Sequence, residues 1–180
     1  EGEQAGGAEV VEDQVPGLLG AVGGAGGEIV VIGAHIGHLG TGPVTGDIYS
    51  GGDDNAAGTV VMMELARVRA TCGQTPQRTV LFAAFNAEED GLIGSCHYVG
   101  DPSYPHEDTI AAISVDMVGA GDGGGLSLFG ALMEDYQWLA QLMDTAAQEQ
   151  GLPYATLANV PVLAPDHACS IPQHTTAVMA

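Results

Sequence analysis

The sequence predicts an α/β fold in which parallel strands alternate with helices. Three observations lead there. Continuous apolar runs (EIVVIGA, RTVLFAAF, TIAAISVDMV) read as strands buried on both faces. Helix-period segments lie between them. The acidic and histidine residues collect just after the runs, where open α/β sheets bind ligands beyond the carboxyl ends of their strands.

In chain order, Glu28 to Ala34 is the first buried strand. Asn55 to Ala70 reads as a helix with Ala57, Val61, Leu65 and Val68 on one face. Arg78 to Phe85 is the second strand and Leu92 to Val99 a short helix. Thr109 to Val118 is the third strand and Leu126 to Phe129 a short fourth. Leu132 to Gln150 is the longest helix, with Leu132, Tyr136, Leu139, Met143 and Ala147 as its inner stripe; Trp138, Met62 and Met63 also read as helix packing. A last strand runs from His174 to Ala180. Strand, helix, strand in succession requires parallel strands joined by right-handed crossovers. The Gly-rich stretches Gly17 to Gly27 and Gly119 to Gly125 read as turns. The second, GDGGG, lacks the Lys and Ser/Thr of a phosphate loop. No linker divides the chain, so residues 28–180 read as one domain, and residues 1–27 as a short segment that is part of the same domain or partly irregular.

At 180 residues and 46% apolar, the chain can bury a full core. No apolar run reaches the roughly 20 residues that span a bilayer, and the acidic start EGEQAGGAEVVEDQ is not a signal peptide. Asp and Glu number 23 against three Arg (Arg67, Arg69, Arg78) and no Lys, for a net charge of −20. That balance excludes nucleic acid and anionic membrane surfaces as partners. It attracts cations, including metal ions and amine-bearing ligands. The Lys depletion suits a salty habitat or reflects a skewed composition alone. Cys72, Cys96 and Cys169 form no C-x-x-C pair, which leaves one bridge or buried free thiols open and the redox compartment unsettled.

The strand ends carry the chemistry. His35 follows EIVVIGA, Glu88 and Glu89 follow RTVLFAAFNA, and Asp116 sits within the end of TIAAISVDMV. GGDDNAAG, with Asp53 and Asp54, precedes the first long helix, and Asp166 and His167 stand in PDHA. Charged groups at such places are unfavourable unless paired or bound to metal. With almost no Arg or Lys to pair them, a divalent cation is the simplest partner. Imidazole mixed with carboxylate favours zinc or a similar metal over calcium.

The segments VVIGAHIGHLG, GGDDNAAG, LFAAFNAEEDGLIGS, ISVDMVG and PDHA occur in the order found in the co-catalytic di-zinc aminopeptidase family, which the chain resembles from about Glu28 onward. That family includes relatives of secreted bacterial leucyl aminopeptidase and of glutamate carboxypeptidase. The resemblance implies a three-layer sandwich, a mixed and mostly parallel sheet between helices. It implies two Zn2+ ions: His35 and Asp116 on the first, Glu89 and His167 on the second, Asp54 bridging both, and Glu88 as general base. It implies a cis peptide bond between Asp54 and Asn55. The substrate would be a peptide with a free N-terminus, and the secreted relatives point outside the cytoplasm.

Two features depart from the family pattern. Gly37 stands where the family has an Asp that braces the first His ligand; if nothing replaces that brace, the first metal is the weaker one. The chain also stops at Ala180, where the family continues into a loop and a helix. Two readings therefore compete with the aminopeptidase: a metal-binding or assembly protein without catalysis, and a glutaminyl cyclase-like enzyme with one zinc. Asp53 reads as a turn or N-cap residue, and Asp166 as either a cap or a partner of His167. His38, His97, His106 and His174 read as surface or core histidines.

Overall fold

The computed structural model describes residues 9–11, 17–120, 126–128, 137–156, 169 and 176–179. Its main sheet has six strands: β1 (Glu9–Val11), β2 (Gly17–Val22), β3 (Ile29–His35), β4 (Thr79–Phe85), β5 (Thr109–Ser114) and, last in the chain, the strand Thr176–Met179. Two three-residue strands, β6 (Leu126–Leu128) and β7 (Tyr154–Thr156), precede that last strand, which is therefore β8. The helices are α1 (Gly58–Thr71), α2 (Ile93–Gly100) and α3 (Gln137–Gln150).

The sheet order is β1-β2-β4-β3-β5-β8. β3 pairs in parallel with both β4 and β5, and β5 in parallel with β8. β2 runs antiparallel to both β4 and β1. The sheet is thus mixed and mostly parallel, as the family resemblance implied, and it owes its antiparallel edge to the segment before residue 28.

That edge corrects one expectation. Gly17 to Gly27 does not form turns throughout: Gly17–Val22 is a strand whose register runs from Gly17 opposite Phe85 to Val22 opposite Val80. Leu19, buried, joins the core and Ala21 packs against it, so the apolar residues between the glycines decide the structure. A second correction concerns the short strand near Leu126. It pairs with β7 in a separate two-stranded sheet and not with the main one. A third concerns Asp116. β5 ends at Ser114, so this carboxylate lies in the loop beyond the strand and not inside it.

Helices pack on both faces of the sheet. On one face Met62 of α1 is buried with Ala34, Phe82 and Ala84, and Ala66 packs against them. Leu139 of α3 meets Ala111 nearby, with Met143 beside it. On the other face Tyr98 of α2 is buried among Leu19, Ile29, Val31, Leu81, Phe85 and Ala112. The alternation of β3 and β4 explains the division: Ile29 and Val31 point one way, Ile32 and Ala34 the other.

The inner stripe of α1 differs from the expected one. The helix buries Gly58 and Met62, while Val61, Leu65 and Val68 are each at least 40% exposed, as is Met63. The observed stripe, 58, 62 and 66, repeats every four residues and uses small side chains at both ends, which brings the helix close to the sheet. The predicted stripe is one residue out of phase, because apolar side chains occur all round this helix and cannot set the phase alone. In α3, Leu139 and Ala147 are buried as expected, Trp138 is 45% exposed, and Leu132 and Tyr136 lie outside the described residues.

Cys96 of α2 is disulfide-bonded to Cys169, with Cα atoms 5.1 Å apart, and Cys72 is free and exposed. No helix among the described residues is long and apolar enough to cross a membrane.

The phase of α1 is open to test. Met62→Ala should lower unfolding free energy by about 2–5 kcal/mol, as expected for a large-to-small change in a packed core. Val61→Ala should stay within about 0.5 kcal/mol. Urea unfolding of the two variants measures both, and a larger loss in Val61→Ala would restore the predicted stripe.

Candidate metal site

The site forms where β3, β4 and β5 end. His35 is the last residue of β3 and is almost fully buried. Its Nδ1 lies 2.9 Å from the carbonyl oxygen of Gly37. A carbonyl only accepts, so Nδ1 carries the proton and Nε2 faces the opposite way. There Nε2 lies 3.2 Å from Asp54 Oδ1 and 3.5 Å from Asp116 Oδ1. The backbone therefore replaces the Asp missing at position 37, and the brace that orients the imidazole is Gly37 O.

Asp54 reaches this point from a turn, Gly52–Ala57, that departs from helical geometry at Asp54 and Asn55. The Asp54–Asn55 peptide bond is cis, the form the resemblance implied. The two oxygens of Asp54 diverge. Oδ1 faces His35, and Oδ2 lies 3.7 Å from Nδ1 of His38. His38 Nδ1 lies in turn 2.7 Å from Glu89 Oε1. The donor atoms of His35, Asp54 and Asp116 all lie within 4.8 Å of one another, and so do those of His38, Asp54 and Glu89. Asp54 belongs to both groups.

Asn55 holds this arrangement. It is almost fully buried, and both polar atoms of its side chain are hydrogen-bonded. Nδ2 donates to Val115 O at 2.9 Å, and Oδ1 accepts from Gly58 N at 3.0 Å and from Met117 N at 3.3 Å. One amide thus fixes the residue after Asp54 to the residues on either side of Asp116. Gly58 must be glycine, because a Cβ there would run into Val115 O and Asn55 Oδ1. Asp53 adds a second tie: its Oδ1 accepts from Gly119 N at 2.7 Å. It braces the loop after β5 and does not cap α1, whose first N–H is taken by Asn55 instead. Thr59 Oγ1 donates to His35 O at 3.0 Å and so fastens the helix to the end of β3.

The charges fit a cation. Burial lowers the affinity of His35 for a proton, but Asp116, the Gly37 carbonyl and the charge of Glu88 outweigh it and raise the pKa to about 9. At 3.5 Å the pull of Asp116 is more a charge attraction than a formed hydrogen bond, and Asp116 Oδ1 is buried with no hydrogen-bond partner among the described residues. Burial, with the charges of Glu89 and Asp116, raises Asp54 against the opposing pull of His35 and His38. Without a proton, Nε2 of His35 would turn a lone pair toward two carboxylates. A divalent cation relieves that conflict, and nitrogen with carboxylate oxygen is a donor set that zinc accepts. No arginine serves instead where pairs are seen: Arg67 binds Glu64 and Arg78 binds Glu28, both at the surface.

Of the predicted residues, His35, Asp54, Asp116 and Glu89 come together. Glu88 follows β4 next to Glu89 and is near enough for its charge to act on His35. His167 and Asp166 lie outside the described residues, although Cys169, two residues beyond His167 in sequence, is bonded to α2. His38 was read as a surface or core histidine and instead meets Asp54 and Glu89. Its signal was the His-x-x-His spacing in GAHIGHLG, immediately after a strand.

Residues 18–178 match Peptidase family M28. An aminopeptidase of Pseudomonas aeruginosa is 33% identical over 112 residues, 57% of this chain and 19% of that protein. Aminopeptidase YwaD of Bacillus subtilis is 49% identical over 49 residues, 27% of this chain and 10% of that protein. The chain therefore spans a fifth or less of these relatives. Among solved structures, the zinc aminopeptidase BSAP of Bacillus subtilis superposes with a TM-score of 0.70 at 26% identity, covering 91% of this chain and 39% of that one. A Zn-dependent exopeptidase of Parabacteroides distasonis reaches a TM-score of 0.75 over 96% of this chain and 68% of its own; at 16% identity it shows the fold alone.

Two substitutions test the braces. Asn55→Ala should destabilise the protein by about 1–3 kcal/mol through its unsatisfied backbone partners. It should also weaken zinc binding by about tenfold or more, as loss of an outer-shell support does. Calorimetric titration and thermal unfolding read the two effects. Gly37→Asp should leave zinc affinity unchanged, since Gly37 O already takes Nδ1 and the new Cβ would stand 3.3 Å from Asn86 Oδ1. A clear gain in affinity would show that the carbonyl is an inadequate brace.

Proposed function

We propose, from the premise that this chain belongs to peptidase family M28, that it carries the two-zinc site of an aminopeptidase. In this reading His35 and Asp116 hold one zinc, Glu89 and His167 the other, and Asp54 both. The observation that carries it is the divergence of the Asp54 oxygens toward two donor groups, one containing His35 and Asp116 and the other Glu89. A carboxylate so placed suits two cations better than one.

When bound, two zinc ions polarise a peptide carbonyl and make water acidic enough to attack it at neutral pH. The protein's part is positioning and proton transfer. Gly37 O and Asn55 keep His35, Asp54 and Asp116 in fixed orientations, so little reorganisation is needed when substrate arrives. Glu88, beside a donor residue, takes the proton from the attacking water and returns it to the nitrogen of the leaving amine. The carboxylates around the site favour a substrate that brings a positive charge, which the free α-amine of a peptide supplies. Cleavage then falls at the first peptide bond. The Cys96–Cys169 bridge supports a location outside the reducing cytoplasm.

Hydrolysis of aminoacyl-nitroanilides, with zinc and after its removal by chelator, tests the reading. Turnover is expected with zinc and a free amine, and not with an N-acetylated substrate. Zinc uptake without turnover would favour the non-catalytic reading, and cyclisation of N-terminal glutamine a cyclase. Glu88→Gln should lower kcat by about 10²–10⁴-fold while zinc content stays at the parent level. Loss of zinc in that variant would make Glu88 a ligand and remove it as the base.

A further inference from the structure

We propose that His38 is a further ligand of the second metal, beside Asp54, Glu89 and His167, a role the resemblance does not assign to it. The inference rests on the two-zinc reading and adds a residue to it. Nδ1 of His38 lies 2.7 Å from Glu89 Oε1 and 3.7 Å from Asp54 Oδ2, so one imidazole nitrogen faces both of the carboxylates assigned to that metal. The three donor atoms lie within 4.8 Å of one another, as do those of the first group, and the groups share Asp54. With His167 the second metal would then take two nitrogens and two oxygens from the protein, a mixed donor set that zinc accepts.

The surroundings hold His38 in this position. Gly51 has φ of +60°, and a Cβ on it would stand 2.9 Å from Cβ of His38 and 3.2 Å from Asp54 O. The absence of that carbon leaves room for the imidazole stem between Gly51 and the Asp54 turn. The ring of Tyr49 meets the His38 ring edge to face, with centroids 6.2 Å apart. The His38 side chain is 19% exposed, and those of Glu89 and Asp54 are 24% and 33%, so the group is reachable from solvent but not spread into it. His35 and His38 lie three residues apart, and one short loop after β3 therefore delivers an imidazole to each metal.

The competing role for His38 is to donate a hydrogen bond from Nδ1 to Glu89 without touching the metal. His38→Asn separates the two, because its amide nitrogen can replace Nδ1 as a donor but is not a zinc ligand. Zinc stoichiometry and affinity by calorimetry, and the visible spectrum of the cobalt-substituted protein, should be measured for the parent, His38→Asn, His38→Ala and His35→Ala. The parent should bind two ions. Both His38 variants should weaken one ion by about tenfold or more and change the cobalt spectrum of that site only, while His35→Ala weakens the other. Parent-like affinity and spectrum in His38→Asn, with loss only in His38→Ala, would overturn ligation and leave a hydrogen-bond role. A parent that binds two ions, with no effect of either His38 variant, would overturn any role at the metal. A parent that binds no zinc would sink the two-zinc reading itself, and the ligand assignment with it. Parent-like thermal unfolding of the metal-free variants ensures that the losses are not unfolding.

Discussion

Asn55 is nearly without solvent contact, and its amide makes three hydrogen bonds to backbone, two in the loop after β5 and one at the start of α1. A neutral side chain with every polar atom used is a stable thing to bury, whereas the carboxylates beside it are not. The site depends on that difference. Asp54, in the turn before α1, and Asp116, in the loop after β5, repel each other, and only a fixed backbone keeps them facing one point. The amide supplies the fixing by tying the turn before α1 to the loop after β5, without adding charge of its own.

The sheet supplies the rest. β3 lies between β4 and β5 in parallel register, so the three chains leave the sheet at the same edge. His35, the Glu88–Glu89 loop and Asp116 are neighbours in space because their strands are neighbours, although they are far apart in sequence. A chain with so many carboxylates and so few cations then has a local excess of negative potential where the strands end. The raised pKa values of His35 and Asp54 combine burial, which opposes the rise at His35 and leads it at Asp54, with that excess. A bound divalent cation would answer the same field.

Gly37 shows how a side chain lost from a family pattern need not mean a lost function. The requirement at His35 is an acceptor for Nδ1, and a backbone carbonyl two residues on meets it. The protein keeps the orientation of the imidazole while giving up a charge in an already acidic site. In the same loop His38, which the sequence alone reads as a surface or core histidine, gains a place beside Glu89.

The sequence by itself determined the α/β class, the three central strands, and the gathering of acid and imidazole at their ends and in GGDDNAAG; the choice of Asp54 over Asp53 and of Glu89 over Glu88 as metal donors came with the family resemblance. Continuous apolar runs and charged strand ends are local signals, and burial in a parallel sheet leaves few other uses for them. It determined less well the phase of α1, whose apolar residues surround the helix, and the strand Gly17–Val22, whose glycines imitate a turn. Only the tertiary structure decided those, since the partner surface and not the segment sets which face is buried. The same holds for His38, for the Gly37 carbonyl and for the Cys96–Cys169 bridge. Each depends on the relative placement of atoms from loops whose spacing in sequence carries no record of their spacing in space.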